Sequence, residues 1–84
     1  MEAELTTNEL VPILVRQAVA DVLGVPPTAL DAATPLSEYG LDSISAIDLT
    51  VQIEEVFDIG IPHRDIRMLA TVDSIIDYVQ RIGC

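Results

Sequence analysis

Few side chains in this sequence could do covalent or acid–base chemistry. His63 and Cys84 are the single histidine and the single cysteine, far apart and without a recognisable motif around either. A Ser–His–Asp triad would have to recruit His63, and no serine sits in a nucleophile-elbow pattern. Metal sites need His, Cys or carboxylates clustered at fixed spacing, and none appears. Gly24, Gly40, Gly60 and Gly83 are too dispersed to cradle a phosphate. The pair Glu54-Glu55 reads as a solvated helix face. An autonomous enzyme is therefore not expected. One constellation stands apart: Gly40-Leu41-Asp42-Ser43-Ile44, where a long connection hands over to a helix. A hydroxyl at that junction lies among unpaired backbone N–H groups at the positive end of the helix dipole, where a phosphate ester built on it would be stabilised. Asp42 beside it can cap the helix, or help hold a metal ion brought in with a phosphorylated donor. Capping alone would be the ordinary role of an Asp-Ser pair here.

The elements that position this junction follow from hydrophobic spacing. Val11, Val15, Ala18, Val19, Val22 and Leu23 recur at intervals of three and four and predict a helix from about Glu9 to Leu23. Thr6 and Glu9 have capping-box spacing, with Thr7 and Asn8 as alternative caps. Pro12 fits only a first turn, which places the regular start close to it, and Gly24 with Pro26-Pro27 ends the helix. Val25 to Asp42 is a long connection with anchors at Leu30, Leu36, Tyr39 and Leu41 and one helical turn near Pro27 to Leu30; loops of such length tend to be functional. A second helix runs from Ser43 to Phe57, with Ile47, Leu49, Ile53, Val56 and Phe57 as its core face, and Gly60 and Pro62 end that region. A short helix spans His63 to Met68. Thr71 caps a last one carrying Val72, Ile75, Ile76, Val79 and Ile82. Tyr39 and Tyr78 read as partly buried packing residues. No period-two alternation is sustained, so the fold class is all-α: a small four-helix bundle, three longer helices and one short, with a long loop between the first two.

Composition bounds the partners. The 84 residues hold fourteen Asp and Glu against four Arg and no Lys, a formal charge of -10. Such a chain is repelled by nucleic acid and by anionic membranes and favours proteins with basic patches. Half of the residues are apolar, too many for an acidic disordered tail. One cysteine forms no internal disulfide, and no apolar stretch approaches a membrane span. The expectation is a cytoplasmic monomer that meets neither nucleic acid nor membrane.

Gly40-Leu41-Asp42-Ser43-Ile44, followed by Ala46-Ile47-Asp48-Leu49 and Ile53-Glu54-Glu55-Val56-Phe57, resembles the acyl carrier protein family. The likeness extends through Leu23-Gly24-Val25, Thr34-Pro35-Leu36, Ile61-Pro62 and Thr71-Val72 to Ile76-Asp77-Tyr78-Val79, nearly everything from Val15 to Ile82. The Asp-Ser motif alone is weak; in a short, acidic, helical chain it is highly specific.

The resemblance implies that Ser43 is the covalent attachment site of 4'-phosphopantetheine, with Asp42 supporting. A phosphopantetheinyl transferase would move the group from coenzyme A, and only that enzyme needs magnesium. The arm's thiol would carry acyl groups between a ketosynthase, an acyltransferase or ligase and other biosynthetic enzymes, and the carrier itself would be non-catalytic. The resemblance also implies that the core can part to shelter an acyl chain. Ile44, Asp48, Val51 and Glu55 follow spacings of four, three and four and share one face beside Ser43, flanked by Glu54, which makes that face the expected docking surface. The alternative is that its acids only solubilise the helix while Ile44 and Val51 pack inward. His63, Arg64 and Arg67 make the short helix locally basic, where many family members are acidic. Residues 1–8 are expected to be a flexible N-terminus, 9–82 the carrier domain and 83–84 a tail with Cys84 as a mobile thiol. An initial Met and short tail are expected of a discrete protein. The pathway expected is polyketide or fatty-acid biosynthesis, leaning to specialised bacterial metabolism. Two alternatives are an aminoacyl or peptidyl carrier of nonribosomal synthesis and an unmodified helical interaction module. Peptidyl carriers more typically place Gly-Gly before the Asp/His-Ser pair, whereas this chain has Gly40-Leu41.

Overall fold

Pro12 lies inside the first helix, not at its start. In the computed structural model, which describes residues 7–82, α1 spans Thr7–Leu23. Pro12 therefore removes one ladder bond, to the Asn8 carbonyl, which near the open end of the helix can turn to water. Thr7 and Asn8 belong to α1, whereas Thr6, the rest of the N-terminal segment, the 83–84 tail and Cys84 lie outside the described residues. α1 buries Val11, Val15, Ala18, Val19 and also Ala20; Val22 and Leu23 are half-buried. Gly24, at φ 71°, closes the helix in the left-handed region, and its N–H donates to the Ala20 carbonyl (2.8 Å).

α2 spans Ser43–Phe57 and α3 spans Val72–Ile82. Short 3-10 helices at Pro27–Ala29, Leu36–Tyr39 and His63–Met68 complete an all-helical architecture, with no strand among the described residues. The turn at Leu36–Tyr39 has no hydrophobic period of its own to announce it. α1 packs along both α2 and α3, and the 63–68 segment touches both α2 and α3. Leu36, Leu49, Ile53, Ile75, Val15, Val19 and Val72 are the fully buried centre of the core.

Two residues assigned to the core face of α2 are not in it. Ile47 is 49% exposed and Val56 is 46% exposed. At about 100° per residue, the buried arc is centred on Leu49, Thr50 and Ile53. Ile47 is turned about 200° from Leu49, and Val56 falls at the arc's margin. Thr50, not read as core, is buried because its hydroxyl donates to the Ala46 carbonyl (2.8 Å). α2 stops at Phe57 as expected, and the residue that closes it in the left-handed region is Asp58, at φ 55°. A short polar side chain tolerates that backbone better than most.

α3 is capped as expected, reciprocally: the Ser74 N–H donates to Thr71 Oγ1 (3.0 Å) and the Thr71 N–H to Ser74 Oγ (2.9 Å). Its inner stripe is Val72, Ile75, Tyr78 and Val79; Ile76 is half-buried and Ile82 exposed. The Tyr78 hydroxyl donates to Asp65 Oδ2 (2.7 Å), tying the 63–68 segment to α3. Burial, then that bond, push its pKa up to about 12.

Candidate functional site

The connection delivers its exit point by being stitched to the bundle. Leu36 is fully buried and its N–H donates to the Ala70 carbonyl (2.8 Å). The Asp73 N–H donates to the Ala32 carbonyl (3.0 Å), and Arg16 Nη1 reaches from α1 to the Leu30 carbonyl (2.6 Å). The Tyr39 hydroxyl accepts the Asp31 N–H (2.8 Å). Gly40 then reverses the chain at φ 97°, a region costly to any residue with a Cβ. Leu41, half-buried, packs on the core beside the turn.

Asp42 is the N-cap of α2. Its Oδ1 accepts the Ser45 N–H (2.8 Å) and its carbonyl accepts the Ala46 N–H (2.8 Å). The Ser45 backbone N–H, then the Ser45 hydroxyl, hold the Asp42 carboxyl below the ordinary aspartate value, so it stays charged at neutral pH. Since Asp42 does the capping, Ser43 is left in the first helical position, exposed, its hydroxyl without a hydrogen-bond partner among the described residues. Two shallow clefts flank it. One, of about 420 Å³, is lined by Ser43, Ala46 and Ile47 of α2 and by His63, Arg64, Ile66 and Arg67. The other, of about 380 Å³, lies towards the loop, between Leu41, Asp42 and Ser43 on one side and Ile66, Arg67 and Leu69 on the other.

The face expected to dock partners is open. Ile44 is 74% exposed, Val51 is 43% exposed, and Asp48 and Glu55 are exposed beside them; Ile44 and Val51 do not pack inward. Glu54 differs from its neighbours: half-buried, its Oε2 accepts the Ile61 N–H (2.8 Å), so it fastens the chain leaving α2. Ile47 joins the open face. Its spacing of three from Ile44 and four to Val51 was the signal for this, outweighed by its apolar character. Ile66 and Arg67 reach the surroundings of Ser43 only through tertiary packing, which no local spacing reveals. Among the described residues no three His, Cys, Asp or Glu side chains gather into a metal-binding group, and no helix is long and apolar enough to cross a membrane.

The family model for the phosphopantetheine attachment site matches residues 14–79, the stretch from α1 to the end of the α3 core. This chain belongs to the phosphopantetheine-binding carrier proteins. As a carrier protein, it is 33% identical over 70 residues to an acyl carrier protein of Bdellovibrio bacteriovorus, covering 82% of this chain and 90% of that one. It is 36% identical over 66 residues to the polyketide synthase ThaG of Burkholderia thailandensis, a match covering 79% of this chain but 1% of the synthase. Its fold is shared with a free-standing peptidyl carrier protein from Acinetobacter baumannii: TM-score 0.78, 21% identity, covering 89% of this chain and 94% of that one.

Proposed function

We propose that this carrier protein bears acyl intermediates as thioesters on a 4'-phosphopantetheine arm attached to Ser43 and delivers them to enzymes of polyketide or fatty-acid biosynthesis. The observation that carries the reading is the division of labour at the head of α2: Asp42 takes the cap and leaves Ser43 an exposed hydroxyl with no competing partner among the described residues. The residues present fit the group. Its phosphate would sit where the helix dipole and the first N–H groups of α2 favour an anion, and the two clefts leave room on either side.

In loading, Ser43 Oγ forms the bond to phosphorus as the bond to the nucleotide leaving group breaks, and its proton passes to a base on the transferase. Asp42, adjacent to Ser43 in the chain and kept anionic with one oxygen in the cap, would support the magnesium that the transferase requires. When bound, the arm supplies a thiol for acyl carriage, and the chain's own residues perform no catalysis. The partners are a phosphopantetheinyl transferase and, downstream, a ketosynthase and an acyltransferase or ligase. They would dock on Ile44, Ile47, Asp48, Val51 and Glu55, with Glu54 at the flank. Exposed charge pairs contribute only ~0–1 kcal/mol each, so docking is brief and salt-sensitive. The protein works as a cytoplasmic monomer.

Two things favour acyl over aminoacyl cargo: Gly40-Leu41 before the Asp-Ser pair, and relatives that include an acyl carrier protein and a polyketide synthase. The test is intact mass spectrometry after incubation with coenzyme A, magnesium and a broad-specificity phosphopantetheinyl transferase. One phosphopantetheine increment is expected, and none with Ser43→Ala, which stays folded. An unmodified wild-type chain, or an increment that survives Ser43→Ala, overturns the assignment.

A further inference from the structure

The sequence His63-Arg64-Asp65-Ile66-Arg67-Met68 mixes both signs of charge, but its fold separates them. A 3-10 helix has three residues per turn, so residues three apart eclipse. Arg64 stacks with Arg67 and His63 with Ile66, and all four line the cleft beside Ser43. Asp65 stacks with Met68 on the opposite side, where Asp65 accepts the Tyr78 hydroxyl and both residues line a different groove with Arg81 and Ile82. A segment of modest net charge thus presents both of its arginines, and not its carboxylate, to the cleft beside Ser43.

The placement of the remaining arginines sharpens this. Arg16 is engaged with the Leu30 carbonyl, and Arg81 pairs with Asp77 (3.0 Å). Among the described residues Arg64 has only a long contact, 4.0 Å, to Asp65, which is already held by Tyr78. Arg67 is exposed, has no ion-pair partner among the described residues, and lines both clefts that flank Ser43. In a chain of net charge -10, a solvated cation with no internal partner among the described residues at this point is open to an anion that arrives at Ser43.

We infer that Arg67, supported by Arg64, is the positioning residue for the phosphodiester that links the arm to Ser43. This rests on the proposed attachment at Ser43. That phosphorus is bonded directly to Ser43 Oγ, so its charge is confined to the region where both clefts meet Arg67. Arginine suits the task because its planar fork matches phosphate oxygens. The contact biases the root of the arm towards the 63–68 side of α2 and away from the acidic face carrying Asp48 and Glu55. A carboxylate on the cargo is the other anion that could reach these arginines, and the experiment separates the two.

The full chain is labelled with nitrogen-15, and its arginine Nε–Hε and backbone amide signals are recorded before and after conversion with coenzyme A, magnesium and the transferase. Intact mass verifies conversion. The expected result is movement of the Arg67 side-chain signal and of the 63–68 amides on conversion with coenzyme A alone, with Arg16 and Arg81 unmoved. In Arg67→Gln the arm still attaches, but its preference for this side falls about two- to fivefold, the weight of one partly exposed charge pair, and the amide shifts shrink accordingly. Arg67→Lys, which keeps the charge but loses the planar fork, restores only part of the effect. Complete conversion with Arg67 unmoved overturns the inference. So does movement only when malonyl-coenzyme A replaces coenzyme A, which would assign the arginines to cargo. Absence of the mass increment is a separate outcome that removes the attachment at Ser43 and the inference with it.

Discussion

Tyr78→Phe tests how the cationic segment is held in place. The substitution keeps the ring, which is 5% exposed and packed in the core, and deletes only the hydroxyl that donates to Asp65. Hydrogen bonds to charged groups contribute about 1.5–3 kcal/mol. The Asp65 side chain is 25% exposed and can recover some hydration, which places the loss near the lower end, about 1.5 kcal/mol. In a domain of this size that lowers the melting temperature by roughly 6–12 °C. The pH dependence is a second, independent readout. An unfolded tyrosine loses its proton near pH 10, whereas folded Tyr78 holds it to about 12. Its contribution is therefore complete below about pH 10 and is lost as the pH rises towards 12. Wild-type stability, followed by circular dichroism, should fall across that window, and the Tyr78→Phe curve should be flatter there. A variant that melts with the wild type, or an alkaline limb unchanged by removing the hydroxyl, refutes the tie between Asp65 and α3.

Further outcomes follow from single contacts. Gly40→Ala meets no atom within 4 Å of the added Cβ, so its cost is the backbone alone at φ 97°, about 1–2 kcal/mol by thermal unfolding. Leu36→Ala empties a fully buried site in the connection and should cost about 2–5 kcal/mol by thermal unfolding, a large part of the stability of so small a domain. Asp42 has a lowered folded-state pKa, so its contribution is present above the unfolded value and is lost as the pH falls through the folded one; Asp42→Asn should remove that part of the acid limb. Asp48→Lys and Glu55→Lys should each slow loading by up to about fivefold at low salt, an effect that shrinks as salt is added, while melting stays within about 0.5 kcal/mol. Equal loading rates at low salt would remove that face from the docking surface.

Helix α2 was legible to the residue, because Asp-Ser at its head and the spacing of Leu49, Ile53 and Phe57 are local signals that agree. The start of α1 was not. Pro12 argued for a late start, but a single missing ladder bond is outweighed by a helix anchored through Val11, Val15 and Val19. Ile47 and Val56 were misplaced for a different reason: apolar residues on an exposed face look like core residues until the packed partner is known. The serine's surroundings were half visible. Asp42 and Ser43 could be read from their order, though which of them capped α2 depended on the Ser45 bond. The approach of Arg67 and the inward turn of Asp65 depend on three-residue periodicity in a segment too short to declare it.

The stitched connection between α1 and α2 has a mechanical consequence. Residues 30–42 are moored to α1 through Arg16, to α3 through Asp73 and to the approach to α3 through Ala70. Such a segment acts as a strut, with no slack to extend when another molecule pulls at Ser43. On the proposed attachment at Ser43, reach would then come from the arm itself, since the mooring post stays put. A client enzyme whose reactive centre lies deeper than the tether is long would be excluded by geometry, however well its surface matched.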